Sequence, residues 1–285
     1  TLHVTCDGTH VEGSPFDVRL QPTSWIWSQL SKAPAEGPAD RYTPIYGEIN
    51  ETGVARILSW WRDNARLGAD SVFMEAGSGR GKPCFLAKLQ FGVGTVIGVE
   101  VVPERRFIAE YLRRVLLRSG ISSMDEISFL VSDLCVGAAS PIGSAIAAAG
   151  EHDEDTDMGA TPWSALTHWY TFDTGFPPDV MEAVGKLINS LIHHGGALEH
   201  FACFHSPDRL AEVGFDMKTL RLAHKTVVNM EGSAQGHTCY IYSTQPQLAL
   251  EQWTEDEGLY VDPNTLEMIC SSSDEDSGDD DGPEV

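Results

Sequence analysis

Ser71-Val-Phe-Met-Glu-Ala-Gly-Ser-Gly-Arg-Gly-Lys82, with Thr95-Val-Ile-Gly-Val-Glu100 following it, decides how this chain folds. Ser71 to Ala76 is a short apolar run that reads as a buried strand. Gly77, Gly79 and Gly81 make a turn, and Pro83 to Phe91 reads as a helix with proline in its first turn. Thr95 to Glu100 is a second strand. The helix Pro103 to Arg118 after it offers Phe107, Ile108, Tyr111, Leu112, Val115 and Leu116 as a wide apolar face. Upstream, Val54, Ile57, Leu58 and Trp61 recur at i, i+3, i+4 and i+7, which predicts a helix from Glu48 onward that ends near Gly68. Downstream, Ile127 to Ser132 and Trp169 to Phe172 read as strands, and Val180, Val184, Leu187, Ile188 and Leu191 as a helix stopped by Gly195 and Gly196. Thr226 to Met230 and Thr238 to Ser243 flank a turn-rich loop and predict an antiparallel pair. Strands alternating with helices predict an α/β fold, a mostly parallel sheet covered on both faces, because each right-handed crossover buries a helix against it.

At 285 residues and 42% hydrophobic the chain can bury one good-sized core or two small ones, which excludes disorder throughout. Its longest apolar runs, such as Leu187 to Ile192, are too short for a bilayer span, so no membrane partner is expected. The chain opens on Thr1, which is expected of a trimmed form. Six widely spaced cysteines match neither a zinc knuckle nor a small disulfide scaffold and favour a reducing compartment.

The formal charge of −23 is unevenly distributed. Residues 251–285 carry 13 acids, and Glu151 to Asp157 five more, with no Lys or Arg in either; the remaining 24 acids face 19 bases, a net of −5. An acidic tail on a near-neutral body repels DNA and attracts polybasic proteins, and a solubilising tail with no partner is the alternative reading. The expected divisions are an N-terminal segment with its linker at 1–40, a body at 41–245 with an acidic insertion at 136–162, and a largely disordered acidic tail at 246–285. Trp25, Ile26 and Trp27 in the first of these are expected to pack back on the core.

The glycine turn sits where a strand hands over to a helix, and Glu100 closes the next strand, where a carboxylate can take both hydroxyls of a ribose. A nucleoside cofactor follows. Glu75, two residues before the first glycine, would repel a pyrophosphate but could pair with the ammonium group of S-adenosylmethionine, which has no phosphate. Asp133 is placed to accept from an adenine amino group, with Leu134 against the ring. The alternative readings are a helix N-terminal acid for Glu75 and a strand-end cap for Asp133.

Tyr46-Gly47-Glu48 before a helix, then Phe73 to Gly81, then Gly98-Val-Glu100, is similar in order and spacing to the Dot-one (disruptor of telomeric silencing) histone methyltransferases. The resemblance runs from about Tyr42 to Tyr242 and includes Trp169 to Val180 and Cys239-Tyr-Ile-Tyr242. It implies a class I, Rossmann-like methyltransferase fold with a seven-stranded, mostly parallel sheet ending in an antiparallel pair. It also implies a non-SET lysine methyltransferase acting on the globular face of histone H3 in nucleosomes, in the nucleus, with S-adenosylmethionine as methyl donor.

Carried over, Tyr46, Gly47, Glu48 and Ile49 cover the methionine part of the donor, Glu75 its ammonium and Gly77 and Gly79 the backbone approach. Lys82 joins that side, Glu100 and Val101 take the ribose, and Asp133 and Leu134 the adenine. Phe172, Asp173, Thr174, Phe176 and Tyr240 line the lysine channel, with Asp173 orienting the ammonium at its mouth. The chain departs from the family at Phe172-Asp173-Thr174, where two asparagines usually precede the aromatic, and at Ile49 and Lys82, where Thr and Gln are usual. A lysine-rich DNA-anchoring extension is absent, so the partners are histone H3 and the nucleosome, with the basic tail of histone H4 a further contact. Direct DNA contact is expected to be weak and limited to spots such as Arg105-Arg106 and Arg113-Arg114.

The transfer is an in-line displacement that needs no metal, accelerated by alignment. An apolar channel built from Tyr46, Phe172, Phe176 and Tyr240 would favour the neutral amine and face the sulfonium with aromatic rings. Core filling is the competing reading for these aromatics. His193, His194, His200 and His205 match no ligand spacing and are expected to be exposed or capping. A methyltransferase for another protein or small molecule, an inert acidic histone-binding module and a nicotinamide dehydrogenase are the alternatives.

Overall fold

A computed structural model describes residues 17–30, 47–135, 163–231 and 236–250. Tyr46, the linker, the acidic insertion and residues 251–285 of the acidic tail lie outside the described residues. The chain divides into two units, 1–250 and 251–285, and all described residues belong to the first.

The central parallel strands are short and apolar because they are covered on both sides. Residues Val72–Ala76 (β1) are buried throughout, as are His168–Thr171 (β4) and His200–Cys203 (β5). With Thr95–Glu100 (β2), Ile127–Val131 (β3), Arg221–Asn229 (β6) and Gly236–Ser243 (β7) they form one seven-stranded sheet in the order β3-β2-β1-β4-β5-β7-β6. β7 is antiparallel to both neighbours and the other pairings are parallel. The mostly parallel sheet with an antiparallel C-terminal pair is thus the one expected. β5 escaped the sequence reading: a strand of four residues that opens on His200 carries too short an apolar signal.

Pro22–Leu30 (α1), Glu51–Ala65 (α2), Lys82–Phe91 (α3) and Pro103–Arg118 (α4) supply one face of the core, where Trp25, Ile26, Trp61, Phe73, Phe85 and Leu112 are almost fully buried. Trp25 and Ile26 therefore pack on the core as expected. Asn50 caps α2 by accepting the Gly53 N–H at 2.8 Å, and the helix ends at Arg66 in the left-handed region. Pro178–His193 (α5) and Pro207–Glu212 (α6) follow β4 and β5. On that opposite face Phe201 stacks on Phe215 and on Tyr242, with ring centroids 5.6 and 6.1 Å apart.

Two surface expectations are corrected. Phe107 is 68% exposed, because the buried stripe of α4 runs through Arg105, Ala109, Leu112 and Leu116 and leaves position 107 off it. Arg105 is itself buried, and Arg113 is held by both oxygens of Glu110 at 2.9 and 3.0 Å, so neither is an open basic spot. Among the described residues no helix is long and apolar enough to cross a membrane.

Candidate functional site

The chain runs from β1 outward to β2 and β3, then returns to the other side of β1 with β4, so the sheet order reverses between β1 and β4. Loops leaving the carboxyl ends of those strands diverge there and open a crevice. A cavity of about 430 Å³ occupies it. Its wall includes Gly47, Glu48, Ile49, Glu75, Gly77, Gly79, Lys82, Glu100, Val101, Asp133, Leu134, Phe172, Thr174 and Phe176, all expected from sequence.

The glycine turn shapes one side. Gly77 has φ 73°, and a Cβ placed there would lie 2.7 Å from the ring of Phe176, so any side chain would be strained and obstructed. Ser78 donates its N–H to Val99 O at 2.8 Å. Gly79 N–H donates to Glu100 Oε2 at 2.7 Å and Val102 N–H to Glu100 Oε1 at 2.8 Å. Glu100 thus ties the two loops together, and each oxygen keeps a second lone pair for a ligand hydroxyl. Burial raises its carboxyl above the usual range.

Glu75, 3% exposed, accepts the Cys84 thiol at 3.2 Å, and no cation among the described residues pairs with it. Burial, reinforced by the charges of Glu48 and Glu100, pushes its carboxyl well up. Near it the Tyr170 hydroxyl is buried on the cavity wall without a hydrogen-bond partner. The Oγ atoms of Ser78 and Ser132, also wall residues, are orphaned in the same way. Buried polar groups without partners cost roughly 1–3 kcal/mol each. Clustered on one wall, they are groups that a ligand would satisfy.

Asp133 accepts the Cys135 N–H at 2.8 Å with one carboxylate oxygen, so the strand-end cap reading is met, and it still faces the cavity beside Leu134. Glu48 is gripped by Arg80 at 2.7 and 3.0 Å and by Lys82 at 2.7 Å, and Lys82 also pairs with Glu231. Burial alone would raise Glu48, but these two cations hold its carboxyl below the usual range. Arg80 further donates to Leu30 O at 2.9 Å, and the Lys82 ammonium lies 5.7 Å from the Trp27 ring centroid. The backbone of Gly47 to Ile49 is stitched to the end of β6 by Glu231 N–H to Glu48 O at 2.8 Å. Met230 then lies so close to Gly47 that a Cβ there would collide with it.

Two expected residues are elsewhere. Asp173 is fully buried, accepts the Phe204 N–H at 2.8 Å and pairs with His205 Nδ1 at 2.6 Å. It anchors the end of β5 and does not stand at a channel mouth; a carboxylate there finds charge-assisted bonds inside that the mouth would not provide. Tyr240 pairs across from Cys203 at the end of β5 and is absent from the cavity wall. Three residues earlier on the strand, and so on the opposite face, His237 reaches the wall. His205 is therefore an ion-pair partner and not a free surface group. His200 is fully buried against His168, with ring centroids 4.7 Å apart. His194 caps α5 and His193 pairs with Asp216, as the exposed or capping reading expects.

Sequence reasoning missed Ser78, Arg105, Ser132, Tyr170, Val180, Met230 and His237 on this wall. Tyr170 lies in a strand buried on both faces, where alternation is silent. Met230 and His237 could have been found from topology: the ends of β6 and β7 that flank their hairpin lie at the carboxyl edge of the parallel strands.

Strand order and the antiparallel β7 make this a class I methyltransferase fold. No family model matches the chain, and no curated protein is similar to it at a significant level. Solved structures similar to it include TrmK from M. capricolum in complex with S-adenosyl-homocysteine, at 6% identity, TM-score 0.43, covering 69% of this chain and 70% of that one. Others are an RNA methyltransferase from Salinibacter ruber in complex with S-adenosyl-L-homocysteine (20% identity, TM-score 0.39, 73% and 96% covered) and the human methyltransferase 10 domain containing protein (12%, 0.44, 68% and 82%). These likenesses concern the fold, and the site is argued from its own residues.

Proposed function

We propose that this chain is an S-adenosylmethionine-dependent methyltransferase whose acceptor is a lysine of histone H3 on the globular core of the nucleosome, acting in the nucleus. One observation carries the cofactor reading: among the described residues Glu75 is a buried carboxylate without a cation, at the β1–β4 switch, with the Tyr170 hydroxyl near it lacking a partner there too. A buried carboxylate is costly unless a cation meets it, and an amino-acid ammonium meets that need where a pyrophosphate would not. When bound, the donor would supply an electrophilic methyl on a sulfonium. Glu100 would take hydroxyls, Asp133 an exocyclic amine, and Leu134 would cover an aromatic ring.

The lysine reading is supported by the Tyr46-Gly47-Glu48 element, by Phe172 and Phe176 on the wall, and by the acidic segments, which suit a basic protein partner. A second reading, an acceptor other than a nucleosomal lysine, is favoured by Asp173 and Tyr240 lying off the wall, by the burial of Arg105 and by the pairing of Arg113 with Glu110. Calorimetry with S-adenosylmethionine tests the cofactor: absence of binding at millimolar concentration defeats both readings. Mass spectrometry of nucleosomes after incubation with labelled donor separates them. Label on a core lysine of H3 supports the first, and unlabelled histones leave the second.

A further inference from the structure

His237 stands in the cavity wall with its Nε2 buried and without a hydrogen-bond partner among the described residues. Its position follows from register. β5 ends opposite Tyr240, so the first residues of β7 run past that end and over the crevice. Phe172 meets the imidazole edge-on, with centroids 6.2 Å apart and planes at 89°. Of the wall residues carried by the hairpin and by the loop after β4, namely Phe172, Thr174, Phe176, Met230 and His237, only His237 has an ionisable side chain. Glu231, which follows β6 on that hairpin, is engaged with Lys82, and Lys82 and Arg80 with Glu48.

We propose that His237 is a catalytic residue, the proton acceptor for a protonated amine that enters beside Phe172, Phe176 and Met230; this rests on the methyl-transfer reading above. The proton passes from the substrate ammonium to Nε2, which frees the nitrogen lone pair. That pair forms the bond to the methyl carbon as the carbon–sulfur bond breaks, and the bonding electrons go to sulfur, which departs as a neutral thioether. The imidazolium returns its proton to water once product leaves. The first step moves a positive charge and creates none, so an apolar compartment does not oppose it, whereas it does oppose a bare ammonium next to a sulfonium. An imidazole is the side chain suited to take such a proton near neutral pH.

Two measurements test the assignment. In nucleosome labelling at saturating S-adenosylmethionine, His237→Ala is expected to lower the rate about 100-fold, in line with general-base catalysis. Cofactor Kd should stay within about twofold, and tens of millimolar free imidazole should restore part of the rate. Independently of nucleosomes, the protein saturated with S-adenosylhomocysteine is titrated with n-butylamine as a lysine side-chain probe while histidine ring nitrogens are followed by NMR. One ring resonance, missing in His237→Gln, should move. A near-normal rate in His237→Ala, a loss that imidazole does not relieve despite intact cofactor binding, or a His237 resonance indifferent to butylamine would overturn the proposal. If wild-type protein leaves nucleosomes unlabelled yet butylamine shifts that resonance, the nucleosome reading fails and the role of His237 stands.

Discussion

Replacing Glu75 with glutamine keeps the shape of the side chain and removes its charge, which isolates the interaction the cofactor reading depends on. A hydrogen bond to a charged group contributes roughly 1.5–3 kcal/mol, so E75Q should weaken S-adenosylmethionine binding by about 10- to 150-fold. Burial raises the Glu75 carboxyl, and a bound cation favours its ionised form, so binding is coupled to proton release. Affinity of the wild type should therefore rise with pH until the free carboxyl has ionised. Calorimetry in buffers of different ionisation enthalpy should detect proton release in the wild type and its loss in E75Q. The same shift sets the sign for stability. A carboxyl whose folded pKa is raised disfavours folding as pH climbs above its unfolded value, so the unliganded E75Q protein should be as stable at neutral pH as the wild type, or more so. A variant that binds the cofactor within threefold of wild type, or one that melts several degrees lower without ligand, would refute this account of the site.

Breaking the four-charge cluster should damage the fold, because Glu48→Ala leaves Arg80 and Lys82 buried without their shared carboxylate; the expected loss is about 3–5 kcal/mol by urea denaturation. Breaking the exposed Arg209–Glu212 pair with Glu212→Ala should change stability by less than about 1 kcal/mol in the same assay. Asp173→Asn should lower the melting temperature by an amount worth about 1–3 kcal/mol and leave cofactor affinity unchanged, since its partners are Phe204 and His205 and not the cavity. His168 and His200 are both held neutral by burial, His200 down to about 4. A base whose folded pKa is depressed loses stability as pH falls from the unfolded value near 6.5 toward the folded one. Denaturation at pH 7 and at pH 4.5 should show that loss, of order 2–3 kcal/mol from His200 alone.

Local chemistry made the cofactor half of the site legible. Gly77, Glu75 and Glu100 are fixed by a strand, a turn and the next strand, all within 30 residues, so periodicity and turn rules place them without knowledge of distant contacts. The acceptor half depends on long-range register. Tyr240 and His237 are equally plausible in the sequence, and only the pairing of Cys203 with Tyr240 shows which of them overhangs the crevice. Asp173 misled for a related reason. Its partners, Phe204 and His205, follow β5, the strand whose signal was too short to see, and with that strand missing a carboxylate beside Phe172 had no interior destination. Arg105 and Arg113 read as basic surface because neither the cavity wall nor the contact with Glu110 is visible in a charge count.

The cluster around Glu48 adds a constraint on how the site assembles. Arg80 and Lys82 flank the last glycine of the turn, Leu30 ends α1, Trp27 lies under the Lys82 ammonium, and Glu231 follows the end of β6. Four segments far apart in sequence therefore meet at two buried cations. Each carboxylate satisfies a cation that would otherwise be costly to bury, so the arrangement is stable as a set and poor in pieces. A side chain at position 47 would have to displace the terminal methyl of Met230, because the Glu231 N–H to Glu48 O bond draws that backbone alongside it. On the proposed cofactor reading, the Glu48 carboxylate is already paired within this cluster, whereas Glu75 meets no cation among the described residues and would be completed by the ligand's ammonium.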